Sequence, residues 1–304
     1  MGTELDIRKI IKYPPESFIS AAPVDLLSGD NKVAEYSGFD PYIISIQGLS
    51  FDAVDGLVFH MDVDGHTDVV KLDNLASVRG LDYEESIKIP SARIATMRIT
   101  APSSVSAYRW RHRVTVFKST VALKLQLGLS LTDREKELAA KYGLKRLLTL
   151  STPEPFNIYS GIVDWKTIAS KITATKTGVQ SVARIPVPKG KKVILAGVSA
   201  ARPTESAAAY LVVNRDNIES TLNLDLYCLP GLSYEAPVRI VALEKLEILL
   251  NATKTGTYYV RLVYGVGDLT LSEKVMWIPG ALTSEERAMA MAEGLFEKAE
   301  AGVE

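Results

Sequence analysis

The sequence predicts a mainly β chain: two tandem antiparallel β-sandwich domains, each followed by a short α-helix. Three observations predict it. From Pro41 onward, β-branched and aromatic residues recur with period two, the pattern of half-buried strands. Turn dipeptides interrupt these runs, Asp64-Gly65 foremost, because a two-residue type I′ turn needs φ > 0 at both central positions. Two capping boxes, Thr132 with Glu135 and Thr283 with Glu286, each close a series of strands.

Residues 1–40 read as an extended N-terminal arm. A short apolar run from Ile7 to Ile11 precedes the breakers Pro14-Pro15, Pro23, Ser28-Gly29-Asp30 and Ser37-Gly38. Residues 41–150 form the first domain, with strands expected at Tyr42 to Gln47, Gly56 to Val63, Thr67 to Leu72, Ser86 to Ile89, Ala92 to Thr100, Arg109 to Lys118 and Ala122 to Leu127. Residues 57–72 should be a hairpin around Asp64-Gly65. Thr132 then starts a helix over 133–142, which Gly143 stops by offering the left-handed conformation after the last turn.

The proline-punctuated segment 151–157 marks the boundary, and residues 151–304 form the second domain. Its strands are expected at Ala183 to Val187, Lys192 to Ser199, Ala209 to Asn214, Thr221 to Cys228, Pro237 to Ala242, Leu246 to Leu250, Thr257 to Val263 and Lys274 to Ile278. A C-terminal helix over Glu285 to Lys298 follows. The pentapeptide ATKTG occurs at 174–178 and at 252–256, where it reads as hairpin-turn chemistry. No strand-helix alternation is visible, so parallel α/β folds are excluded and antiparallel sandwiches, jelly-roll-like in one version, are expected.

The 304 residues are enough for two cores. Lys and Arg total 35 against 36 Asp and Glu, so the net charge of −1 gives no global attraction to nucleic acid or to an anionic membrane. One cysteine, Cys228, excludes an intramolecular disulfide and a multi-cysteine metal site. The N-terminal residues lack the apolar core of a secretion signal and no apolar run is long enough to span a bilayer, so synthesis in a cytoplasm without a signal peptide is expected. Three Gln and seven Asn in the whole chain lean towards a thermophilic source.

Two segments carry groups that could do chemistry. His60, Asp62, Asp64, Gly65, His66 and Asp68 cluster oxygen and imidazole ligands, and on a strand His60, Asp62 and Asp64 share one face as a candidate surface ion site. The segment fails the EF-hand pattern, since Gly65 stands fourth rather than sixth and Asp73 stands where the twelfth-position glutamate belongs. The competing reading is a solvated hairpin face. Tyr108 to Arg113 is the densest basic and aromatic stretch. On a strand Arg109, Arg111 and Arg113 project to one side, with Tyr108, Trp110 and His112 on the other. Guanidiniums at this spacing suit an anion, an acidic neighbouring subunit or cross-strand carboxylates, so Arg109, Arg111, Arg113 and Trp110 are candidates for subunit contact or anion binding.

Catalytic patterns are absent: Gly265-Val266-Gly267 lacks the third glycine and the helix of a dinucleotide site, and no P-loop, HExxH or GxSxG occurs. Cys228 lies in the strand-like LDLYCL, as a buried thiol would. The expectation is a chain that is not an enzyme, with no catalytic residue, no resident metal and no cofactor.

An arm from Ile7 to Pro41, strand runs in both halves and a helix at 285–298 together resemble the organisation of jelly-roll structural proteins of virus particles. The resemblance implies a self-assembling virion component, capsid or tail or surface protein, whose partners are copies of itself and other particle proteins, with nucleic-acid contact indirect. The alternative is a β-sandwich binding module for carbohydrate or a receptor, in which Trp110, Trp165, Trp277 or tyrosines stack on the ligand.

Overall fold

A computed structural model describes residues 7–145, 162–202, 209–232 and 234–303. The chain is mainly β. A short helix α1 (Ile7–Ile10) leads into β1 (Glu16–Ala21), β2 (Val24–Leu26), β3 (Gly29–Ser37), β4 (Tyr42–Phe51), β5 (Val58–Val63), β6 (His66–Leu72), β7 (Glu85–Ser91), β8 (Ile94–Ala101), β9 (Val105–Tyr108) and β10 (Trp110–Lys118). Helices α2 (Val121–Gln126) and α3 (Asp133–Lys141) follow. The later strands are β11 (Ile162–Ala174), β12 (Gly178–Pro186), β13 (Lys191–Ala201), β14 (Ala209–Arg215), β15 (Ile218–Asp225), β16 (Ala236–Ala242), β17 (Lys245–Ala252) and β18 (Gly256–Asp268), closed by α4 (Leu271–Trp277), α5 (Ser284–Ala292) and α6 (Leu295–Ala301).

The strand order is the same in both halves. Antiparallel pairing gives β1-β10-β4-β7 and β3-β8-β5-β6 in the first half. In the second it gives β11-β18-β13-β16 and β12-β17-β14-β15. In each half the edge-forming first strand pairs with the last. A further pair, β2 with β9, has no counterpart in the second half among the described residues. The halves join through β1, which bridges β16 at Ser17↔Arg239 and β15 at Ala21↔Leu224. That joint merges three of the four layers into one 12-stranded mixed sheet.

Alternation places the core. Along β8, Ala95, Met97, Ile99 and Ala101 point inward, and along β17 Leu246, Ile248, Leu250 and Ala252 do the same. One contiguous cluster runs from Phe18, Phe51, Phe59 and Trp110 through to Leu195, Leu224 and Tyr258.

The closing helices repeat too. Thr120 caps α2 and Thr270 caps α4, while capping boxes at Thr132 with Glu135 and Thr283 with Glu286 open α3 and α5. Residues 131–143 and 282–294 align without a gap, sharing Leu131/Leu282, Thr132/Thr283, Glu135/Glu286, Ala139/Ala290 and Gly143/Gly294. In both units a lysine four residues after the first cap, Lys124 or Lys274, binds the boxed glutamate. The two units pack on each other: Arg134 and Lys141 of α3 pair with Glu297 of α6.

A second shared device is a glycine beside a strand irregularity. Gly48 on β4 lies under the side chain of Glu84 and Gly197 on β13 under that of Glu235, and a Cβ at either would run into the glutamate. Glu84 accepts from Arg113 of β10 at 2.8 Å, and Glu235 from Arg261 of β18 at 2.8 Å.

Several sequence expectations change. Residues 16–37 are strands β1 to β3 rather than an irregular arm, because their partners lie far off, on β10 and β8, and no local pattern reveals them. Ala122 to Leu127 and Lys274 to Ile278, expected as strands, fall in α2 and α4. The caps at Thr120 and Thr270 override the alternation of short apolar runs. The C-terminal helix divides at Gly294, whose φ of +67° starts a new helix. The hairpin around Asp64-Gly65 forms with φ of +52° and +91°, but the ATKTG copies are not hairpin turns: they link β11 to β12 and β17 to β18, whereas the pairing runs β11 with β18 and β12 with β17, because each copy carries the chain from one layer to the other. The proposed boundary at 151–157 lies outside the described residues.

Candidate functional site

The face of β10 is the richest site in the chain. Its inward side carries Trp110 and His112, continuing from Tyr108 at the end of β9, each 3% exposed or less. Trp110 stacks on His112 with centroids 4.4 Å apart and on Phe51 at 6.2 Å. Tyr36 Oη and His112 Nε2 share a hydrogen bond of 2.6 Å, while His112 Nδ1 is buried with no partner. Burial lowers the His112 pKa to about 3, so the ring is neutral.

The outward side carries Arg109, Arg111 and Arg113, as alternation predicts. There the row meets the second half of the same chain. Arg109 donates from Nε and Nη2 to both oxygens of Asp52, at 2.7 and 2.9 Å, and its guanidinium lies over the Tyr227 ring. Arg202 approaches the same ring. Arg113 binds Glu84 as above and Gln47 O at 3.4 Å. Arg111 is 1% exposed; its Nη1 reaches Cys228 O at 3.4 Å and its guanidinium stacks 4.1 Å from the Tyr234 ring centroid. Its Nε and Nη2 have no partner. Burial pushes Tyr234 upward and lifts the Cys228 thiol to about 12, so Cys228 stays protonated.

The hairpin candidates each have a local partner. His60 Nδ1 bonds Asp68 at 2.8 Å. Asp62 takes a two-pronged contact from Arg98, which keeps its carboxyl below the ordinary range despite burial. Asp64 turns the other way and accepts from Ser91 Oγ and the amides of Ala92, Arg93 and Ile94, at 2.8–2.9 Å. Burial works against ionisation of Asp64, yet these donors outweigh it and its pKa is lowered. Among the described residues no three His, Cys, Asp or Glu side chains converge to hold a metal, and no helix is long and apolar enough to cross a membrane.

Sequence reasoning missed the most heavily bonded charges. Glu16 and Arg215 are fully buried and pair through both carboxylate oxygens, with Arg215 also donating to Ile10 O and Val241 O. Glu16 in turn accepts from the amides of Lys12, Tyr13 and Val241. Next to it Asp216 accepts from Lys12 Nζ, Tyr13 Oη and the amides of Leu243, Glu244 and Lys245. Burial opposes its charge, but those amides and Lys12 prevail and its pKa is lowered. Lys192 pairs with Glu273 inside the α4 capping box. One charge at a time looks like surface in a sequence; only long-range pairing makes these cores.

Of the three tryptophans, Trp110 is buried, Trp277 donates to Pro14 O at 2.8 Å, and Trp165 is 49% exposed.

No protein-family model matches the chain, and no curated protein does. Solved structures do. A triple-jelly-roll protein of turret assembly in an archaeal virus is 11% identical at a TM-score of 0.27, over 82% of this chain; this chain spans 59% of that protein. The subviral particle of infectious bursal disease virus VP2 is 8% identical at a TM-score of 0.24, with 88% of this chain and 74% of that one covered. Streptomyces albus HEPD with 2-hydroxyethylphosphonate and Fe(II) is 11% identical at a TM-score of 0.24, over 98% and 81%. The expectation of a chain that is not an enzyme is corrected by this last match and by two further enzymes among the matches. These likenesses assign no activity. The organisation-level resemblance to jelly-roll proteins of virus particles stands.

Proposed function

We propose that the chain is a double jelly roll that assembles with copies of itself as a structural component of a virion, capsid or tail or surface fitting. The observation that carries this reading is the β1–β16 joint: two halves of one strand order already meet edge to edge within the chain. The equivalent edges at the far ends, β7 and β11, each have a single strand neighbour among the described residues. A strand edge with free amides and carbonyls is a template for another strand. Edges of two different kinds on one chain join head to tail, which closes a ring when the rotation permits. Trp165, exposed on β11, and Met289 and Met291, exposed on α5, give apolar surface that a neighbouring copy would cover. In this reading the partners are copies of the chain and other particle proteins, and the place of work is the virion after synthesis in a cytoplasm.

The test is the native mass by light scattering, with electron microscopy of any large species. Closed multimers or shells are expected. A monomer at all concentrations and salt levels sinks the proposal. Placing a proline at Lys171, in the C-terminal half of β11, should lower the association constant at least tenfold if that edge is used.

A further inference from the structure

The row of three arginines is not uniformly neutralised. Arg109 has Asp52 and Arg113 has Glu84, whereas among the described residues no carboxylate pairs with Arg111. A guanidinium cannot shed its proton, so its charge persists at 1% exposure. A buried, uncompensated charge is among the costliest features a fold can hold. Tyr234 and Cys228 O cover one face and one end of it, but neither is an anion.

The geometry of what is left over is specific. Nε and Nη2 form the side-on edge of a guanidinium, two parallel N–H groups spaced for the two oxygens of an oxyanion. Arg109, two residues earlier on the same face, uses this edge on Asp52. Ser50 stands opposite Arg111 in the β10–β4 register and so on the same face, and its buried Oγ also has no partner. Arg113 Nε nearby is a further unpartnered buried donor. Water could satisfy these donors but would leave the charge.

We propose that the seam where β10 meets Cys228 and Tyr234 binds a small oxyanion, a carboxylate or a phosphate, held side-on by Arg111 Nε and Nη2 with Ser50 Oγ as a third donor. The anion completes the row and ties the two halves together. The site stands whether or not copies of the chain assemble.

Sodium formate and inorganic phosphate are titrated separately into extensively dialysed full-length protein, at constant ionic strength set with sodium chloride, and followed by thermal unfolding and isothermal calorimetry. Saturable, one-site binding that raises the unfolding temperature is expected for at least one of them, and which one responds separates a carboxylate site from a phosphate site. Arg111→Met should abolish it, and Arg111→Lys, which keeps the charge but loses the fork, should weaken it at least tenfold. Ser50→Ala, a smaller change in case the arginine variants do not fold, should weaken it several-fold. Absence of saturable binding by both anions in the parent protein, or equal binding by Arg111→Met or Ser50→Ala, overturns the proposal.

Discussion

Among the described residues two arginines are almost wholly removed from water, and they are treated differently. Arg215 meets both oxygens of Glu16 and two backbone carbonyls, whereas Arg111 has an aromatic ring, one long bond to a carbonyl and an open edge. The first is an ion pair with one donor, Nε, left over, and the second has two donors, Nε and Nη2, left over and no carboxylate among the described residues. Burial alone therefore does not say whether a charge is structural; the inventory of its donors does.

The largest effect should come from breaking the Glu16–Arg215 ion pair. Glu16→Ala leaves Arg215 buried without its carboxylate and should cost about 3–5 kcal/mol, read from urea unfolding. In oxyanion-free buffer Arg111→Met should instead leave the unfolding midpoint unchanged or raise it, since it removes a buried charge that has no partner to orphan. Equal losses for the two would erase the distinction.

Acid should separate them from the rest of the core. Burial holds His112 at about 3 when folded, below the ordinary 6.5 of the unfolded chain, so the unfolded form binds the proton first. Stability from His112 is complete above pH 6.5 and is lost as pH falls towards 3, amounting to about 2–3 kcal/mol by pH 4.5. His112→Gln should remove that part of the slope in unfolding experiments run from pH 7 to pH 4.5. Asp64→Ala strips the acceptor from three amides and a hydroxyl at the hairpin and should cost about 2 kcal/mol by the same measurement. Smallest are the twin caps: Thr132→Ala and Thr283→Ala should each cost about 1 kcal/mol, and similar values would show that the two closing units are energetic as well as sequence equivalents.

What the sequence disclosed was local. Asp64-Gly65 and the boxes at Thr132 and Thr283 were legible because each is solved by residues within a few positions, whereas ATKTG reads as a turn but does not tell a hairpin from a crossing between layers. Alternation along 108–113 likewise separated Trp110 and His112 from the arginines. Residues 16–37 were misread because proline and glycine mark the ends of β1 to β3 while the evidence for pairing lies on β8 and β10. The run 122–127 alternates like a strand, and only the threonine before it, Thr120, reveals the helix. Nothing local identifies the Glu16–Arg215 pair or the surroundings of Arg111, because Arg215 lies about two hundred residues from Glu16, and Cys228 and Tyr234 more than a hundred from Arg111.

The strand that joins the halves leaves the ribosome well before the strands it joins. Its neighbours on β10 follow about a hundred residues later, but Arg215, Arg239 and Val241 emerge only after roughly two hundred more than β1 itself. Until then the carboxylate of Glu16 has neither its guanidinium nor the Val241 amide. A nascent chain stopped short of residue 215 thus holds a first half whose edge is still open and charged, and the order of synthesis makes the second half the piece that seals the first.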